Sequence, residues 1–153
     1  MRFSLSTEYA IHGLLFLALR PPDAVTMLPE IARALHVSEP SLRKVFQTLA
    51  RHGIITSYRG TKGGYSLGMP AHEITLKDVV QATEGATVMY QCMSTHKQCE
   101  PGPRCVIGSA FQEVEAQIST ALRNLTLGAL VARVQDGSKA VQWRELAAMH
   151  ESR

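Results

Sequence analysis

Apolar residues along this chain recur mostly with a helical period, and with a strand period in only one region. Between Ser4 and Pro21, the residues Tyr9, Ala10, Leu14, Leu17 and Ala18 fall at helical spacings. They predict an amphipathic first helix that starts near Ser4 or Ser6 and stops before Pro21-Pro22. Leu28, Ile31, Ala32 and Leu35 predict a short second helix over 28–35. His36-Val37-Ser38 then makes a turn, and Ser38 is placed to cap a third helix with Pro40 in its first turn. Leu42, Val45, Phe46 and Leu49 form the inward face of that helix, which runs to about Arg51 and is ended by Gly53.

The strand-like region follows directly. Ile54 to Tyr58 and Tyr65 to Leu67 are short β-type runs, and between them lies the tip Arg59-Gly60-Thr61-Lys62-Gly63-Gly64, which predicts a hairpin with a basic, glycine-rich turn of positive φ. Thr75 followed by Asp78 marks another helix start, ending near Gly85. Residues 86–107 lack aliphatic runs and contain all three cysteines and Pro101-Gly102-Pro103, the pattern of an irregular functional loop. Helix returns near 109–125, where Phe111, Val114, Ile118, Ala121 and Leu125 repeat as a coiled-coil-like seam, and Thr126 caps a further short helix through Val134. The tail from Asp136 has no assigned element, with Trp143 and Leu146 as candidate anchors.

This order predicts a mainly α fold with a small β-hairpin: a winged helix-turn-helix plus a long dimerisation helix. The expected division is 1–85 as the DNA-binding domain, 86–108 as a cysteine-containing loop, 109–135 as the dimerisation region and 136–153 as an extension.

Charge sharpens the picture. From Arg33 to Lys62 six cationic residues face a single acid, Glu39, so this stretch carries +5 and the remainder −2 of a net +3. A basic stretch on a near-neutral body suits a polyanion-binding face. The exposed positions of the third helix are Ser41, Arg43, Lys44 and Gln47, with Ser38 at its start and Arg59, Thr61 and Lys62 on the wing. Arginine reads guanine and glutamine reads adenine, while serine and lysine mainly hold phosphate. Double-stranded DNA is the partner this face implies.

The apolar run 11–19 imitates a signal peptide only loosely, because Glu8 and His12 interrupt the region and Pro21-Pro22-Asp23 replaces a cleavage site. A cytoplasmic protein with no membrane association is expected. Three cysteines cannot all pair within one chain. Cys92, Cys99 and Cys105 lack the paired Cys-x-x-Cys hairpins of zinc ribbons, and three soft thiolates in a polar loop suit an iron–sulfur cluster. A set of redox-active thiols is the other reading of the same residues. No nucleophile–base motif or phosphate-binding loop ahead of a helix marks an enzyme.

Several of these segments resemble the Rrf2 family of regulators, which includes IscR-like and NsrR-like members. The resemblance rests on Tyr9-Ala10 with Leu14 to Ala18, Ile31-Ala32, Arg51 to Ser57, the wing Arg59-Gly60 with Gly63 to Leu67, and Ile74 to Val80 with Glu84-Gly85. It covers roughly residues 1–135 and implies a homodimer of winged helices joined by the long helix, acting as a repressor at a pseudo-palindromic operator. It also implies a cluster loop between the two subunits. The histidine that IscR-type members carry shortly after the third cysteine is replaced here by Val106-Ile107-Gly108. Other members carry an acid at the position of Glu8 that reaches the partner's cluster, and a redox-sensing subgroup pairs it with a histidine at the position of His12. Two ligand sets follow: Cys99, Cys105, Glu8 and His12 around a [2Fe–2S] cluster, which is favoured, or Cys92, Cys99, Cys105 and Glu8 around a [4Fe–4S] cluster. The competing functions are a cluster-free thiol sensor that binds DNA and a metal-binding interaction protein that does not.

Overall fold

The computed structural model of the protein describes residues 2–85, 105–137, 139 and 141. Six helices and one antiparallel hairpin follow in the order α1 (Leu5–Ala18), α2 (Leu28–Leu35), α3 (Glu39–Arg51), β1 (Ile55–Tyr58), β2 (Gly64–Leu67), α4 (Leu76–Glu84), α5 (Val106–Asn124) and α6 (Leu127–Gln135). This is the expected mainly α winged-helix architecture. Trp143 and Leu146 lie outside the described residues, as do Cys92 and Cys99.

The helix starts form where short polar side chains replace missing partners for the first backbone N–H groups. The Thr75 hydroxyl accepts from the Asp78 N–H at 3.1 Å while Asp78 accepts from the Thr75 N–H at 3.0 Å, the reciprocal capping box. Thr126 caps α6 through the Ala129 N–H at 3.2 Å. These two capped starts are tied side by side: the Leu76 N–H donates to Leu125 O at 2.9 Å and the Leu127 N–H to Ile74 O at 2.8 Å. The link brings α6 back onto α1 and buries Ile74 and Leu127.

One expectation needs correction. The first helix is not a one-sided amphipathic helix with a stripe at Tyr9, Ala10, Leu14, Leu17 and Ala18. Over its second half Gly13, Leu14, Leu15, Phe16 and Leu17 are consecutively buried, while Tyr9 and Ala18 are only half-buried. The reason is its place in the fold: α2, α3, α4, α6 and β2 all pack against α1, so it has no broad solvent face left.

α1 and α3 approach each other closely in the core. Phe46 of α3 is fully buried, and a Cβ on Gly13 would come within 2.6 Å of its ring. The same ring meets Tyr65 of β2 edge-on, with centroids 5.0 Å apart. Phe46 therefore fixes the third helix against both the central helix and the wing.

Gly13→Ala should lower stability by about 1–3 kcal/mol through overpacking against Phe46, outweighing the roughly 1 kcal/mol that alanine gains over glycine in a helix. Urea unfolding of the variant checks the sign; a stabilised Gly13→Ala protein would refute the close-packing account.

Candidate nucleic-acid interface and sensor site

The turn between α2 and α3 is built by His36, which caps α2 in the left-handed region at φ 54°, and by the Val37 N–H donating to Ala32 O at 3.0 Å. At the start of α3 the Ser38 hydroxyl accepts from the Ser41 N–H at 3.4 Å and donates to the Ser41 hydroxyl at 2.8 Å. Leu42, Val45, Phe46 and Leu49 are buried as expected. Ser41, Arg43, Lys44 and Gln47 are all exposed on the opposite side, so the inward stripe and the polar face divide the helix cleanly. A shallow hollow on that face is lined by Glu39, Pro40, Arg43, Lys44 and Gln47. The hollow thus brings together three of the sequence-selected side chains, Arg43, Lys44 and Gln47, and adds Glu39, which charge counting had noted only as an exception.

The wing is anchored more firmly than a free hairpin. Ile55 pairs with Leu67 and Tyr58 with Gly64 across its two strands. Beyond the hairpin, Thr26 and Tyr65 exchange two backbone hydrogen bonds of 2.9 Å, so the segment ahead of α2 serves as a third, one-residue partner. The wing glycines also act differently from the expectation of positive φ. Only Gly60 turns with positive φ, at 101°. Gly63 and Gly64 are needed for close approach, since a Cβ would lie 2.4 Å from Tyr58 O and 2.4 Å from Thr26 O respectively. The Gly63 N–H donates to Gly60 O at 3.0 Å and closes the tip, leaving Arg59, Thr61 and Lys62 exposed. Tyr58, half-exposed beside this tip with Ser66 Oγ 3.5 Å from its hydroxyl, is a further candidate that hydrophobic patterning conceals because it reads as a strand residue.

The candidate sensor residues occupy the start of α1 and the start of α5. Glu8 is exposed, His12 lies one turn further along α1 and is half-buried, and the two share a face. The start of α1 is clasped to the end of α4. Glu84 accepts from the Ser4 N–H at 2.7 Å, from the Ser4 hydroxyl at 2.6 Å and from the hydroxyl of buried Thr7. The Thr7 and Thr83 hydroxyls lie 2.6 Å apart. Hydrogen bonds from the Ser4 hydroxyl, the Thr7 hydroxyl and the Ser4 N–H together hold the Glu84 carboxyl below its ordinary value of 4.5. Sequence reading missed this clasp because its members are about 80 positions apart and none has a motif.

Cys105 is the N-cap of α5, its Sγ accepting from the Gly108 N–H at 3.4 Å, and it is a half-exposed free thiol. The helix starts at Val106, three residues nearer the cysteine segment than the seam predicts. None of the residues of α5 is buried within the protomer; Val106, Ile107, Phe111 and Val114 are exposed, and α5 rests against α4. Among the described residues no three His, Cys, Asp or Glu side chains come together. The donors are nonetheless chemically suited to an iron–sulfur group: a thiol at a helix start with a backbone N–H on its sulfur, and a carboxylate and imidazole at one-turn spacing. No described helix is long and apolar enough to cross a membrane.

A helix-turn-helix whose second helix presents a polar, basic face, followed by an anchored basic wing, is the arrangement of a winged-helix transcriptional regulator. Residues 3–133 match the Rrf2 family, described as iron-dependent transcriptional regulators, and the chain belongs to it. Its relatives include Protein aau3 of Rhizobium meliloti (strain 1021), 36% identical over 86% of this chain and 85% of that protein. The HTH-type transcriptional regulator IscR of Vibrio campbellii is 30% identical over 86% of this chain and 77% of the relative. Among solved structures, CymR, the global cysteine regulator of B. subtilis, superposes with a TM-score of 0.67 at 26% identity, covering 86% of this chain and 97% of CymR.

Because Glu84 is held below its ordinary value only in the folded chain, its clasp stabilises fully above the unfolded value and is lost as pH falls through the folded one. Glu84→Gln should therefore be less stable than wild type at about pH 7, with the gap closing toward about pH 3. Urea midpoints measured at both pH values test this, and a gap that stays constant with pH would rule out the carboxylate as the clasp.

Proposed function

We propose that this regulator is a homodimeric repressor that reads a pseudo-palindromic operator and senses redox state or nitric oxide through an iron–sulfur cluster. The observation that carries the reading is the shared position of α1. Its start bears Glu8 and His12 and is clasped by Glu84 to the end of α4, and its body packs directly on α3. A change at the sensor residues is thereby one helix away from the DNA-reading face.

On the DNA side, the first turns of α3 enter the major groove, with Arg43 and Gln47 on base edges and Ser38, Ser41 and Lys44 on phosphate. Arg59, Thr61 and Lys62 at the wing hold the neighbouring backbone or minor groove. The exposed apolar residues Phe111 and Val114, with half-buried Ile118 and Leu125, supply the dimer seam of α5. Two copies then present two recognition helices to two half-sites.

On the sensor side, Cys99 and Cys105 with Glu8 and His12 from the partner fit a [2Fe–2S] cluster, and Cys92, Cys99 and Cys105 with Glu8 fit a [4Fe–4S] cluster. The one-turn relation of Glu8 and His12 favours the first. When bound, such a cluster supplies a reversible change of charge and of ligand demand. Carboxylate and imidazole bind iron less tightly than thiolate and respond to protonation. Glu8 and His12 would be the weaker ligands of such a cluster, and without it the start of α1 would be held by the Glu84 clasp alone. A shift of α1 would reach α3 through the close Gly13–Phe46 contact, which leaves no room for a Cβ. The wild-type protein, purified anaerobically, is expected to show [2Fe–2S] absorption and Mössbauer signatures that His12→Ala alters or abolishes. A [4Fe–4S] signature indifferent to His12 would transfer the site to the three cysteines and Glu8.

A second reading is favoured by the half-exposed thiol of Cys105 and by the likeness to a cysteine regulator. Here Cys92, Cys99 and Cys105 act as a thiol switch without a cluster. A colourless protein whose operator affinity responds to oxidant would select it. Salt-dependent binding to duplex DNA, with affinity falling as counterions compete, would exclude the remaining alternative, a metal-binding interaction protein.

The dimer seam has its own test. Val114→Glu places a charge on the exposed face of α5 and should convert a dimer to a monomer by analytical ultracentrifugation, with operator affinity reduced at least about tenfold through loss of the second half-site. A Val114→Glu dimer would move the interface away from α5.

A further inference from the structure

The DNA-reading face contains one group that nothing in its basic character accounts for. Glu39 is the only carboxylate between Arg33 and Lys62, and it is the first residue of α3. It is exposed and lines the same hollow as Pro40, Arg43, Lys44 and Gln47. Arg43 lies one turn further along, at the spacing where glutamate and arginine pair on a helix surface. Among the described residues, however, Glu39 forms no ion pair; Arg20 pairs with Glu30 and His72 with Glu73 instead. Glu39 therefore lines the hollow beside Arg43, Lys44 and Gln47 without an ion-pair partner.

We propose that Glu39 is a specificity-determining residue of this face, accepting a hydrogen bond from the N4 amino group of a cytosine in each half-site. The inference rests on the reading of α3 as the operator-binding helix. A carboxylate brought toward a phosphate-lined groove is repelled by it, so it lowers affinity for any sequence that offers no donor in return. The four bases differ sharply at the major-groove edge. Guanine presents N7 and O6, and thymine presents O4 and a methyl group, so both reject a carboxylate. Adenine offers N6–H beside the acceptor N7, a mixed neighbour. Cytosine offers N4–H with no acceptor on its own groove edge, and is the best partner.

Spacing adds a second constraint. Four residues of helix advance about 6 Å, and successive base pairs about 3.4 Å, so Glu39 and Arg43 address base pairs one or two steps apart. The half-site should therefore contain a cytosine read by Glu39 close to a guanine read by Arg43. A carboxylate in the first turn also complements the helix dipole. That role alone requires no orientation toward a base and makes no distinction among operators.

The test is selection of binding sites from a random duplex pool by the full-length protein, its Glu39→Gln variant and its Arg43→Ala variant. Wild type is expected to enrich a cytosine and a guanine at this separation in both halves of a palindrome, with about tenfold discrimination at the cytosine. Glu39→Gln should lose the cytosine preference while keeping the guanine, and should bind random duplex more tightly; Arg43→Ala should do the reverse at the guanine. Enrichment of the same motif by Glu39→Gln and wild type overturns the inference and leaves Glu39 as a helix-end charge. Loss of the guanine instead of the cytosine in Glu39→Gln also overturns it, because Glu39 would then act by orienting Arg43. A wild-type protein that enriches no motif at all would fail at the earlier step, the operator reading itself, and take this inference with it.

Discussion

The contact of Phe46 with Gly13 is the constraint on which the functional parts of this molecule depend. With no side chain at Gly13, α3 lies against α1 at a distance that a single Cβ would violate. The ring that fills the gap also meets Tyr65 edge-on and so sets the wing. Interiors are packed too densely to absorb such a displacement gradually, so a shift of α1 must be passed on to α3. The recognition helix is held from behind by apolar contact, and its forward face is left free to carry polar groups.

α1 is therefore the central beam, which explains why it is buried over its second half and polar only at its start. That start is where Glu8 and His12 lie, and it is held by hydrogen bonds to Glu84 rather than by apolar packing. The two ends of the helix are fixed by different physics. Packing among Leu14, Leu15, Phe16 and Leu17 is insensitive to pH, whereas a carboxylate clasp at the surface responds to protonation and to neighbouring charge. Strength at one end and responsiveness at the other suit the role proposed for α1, a helix joining a sensor to a reader.

The DNA-facing surface follows a similar division. Cationic groups on α3 and the wing supply attraction that does not depend on sequence. Their placement is rigid because the wing is pinned at Thr26 and Tyr65 as well as at its own strands. A lone carboxylate within that field would lower indiscriminate affinity, and this is how the role proposed for Glu39 would draw specificity from a surface that otherwise binds any duplex.

Much of this was written locally in the sequence. The helix caps at Ser38, Thr75 and Thr126, the inward stripe of α3, the hairpin and the basic exposed positions all depend on residues within about a turn of one another, and periodicity and capping chemistry reveal them. The one-turn spacing that puts Glu8 and His12 on one face of α1 is local in the same sense. What the sequence did not disclose depends on pairs far apart along the chain. The burial of α1 on nearly all sides, the Glu84 clasp on Ser4 and Thr7, the Thr26–Tyr65 anchor and the reason for Gly63 and Gly64 each require knowing which element lies opposite. A residue's neighbours along the chain are fixed by its covalent bonds, but its neighbours across space are chosen by packing, and only the tertiary structure decided those.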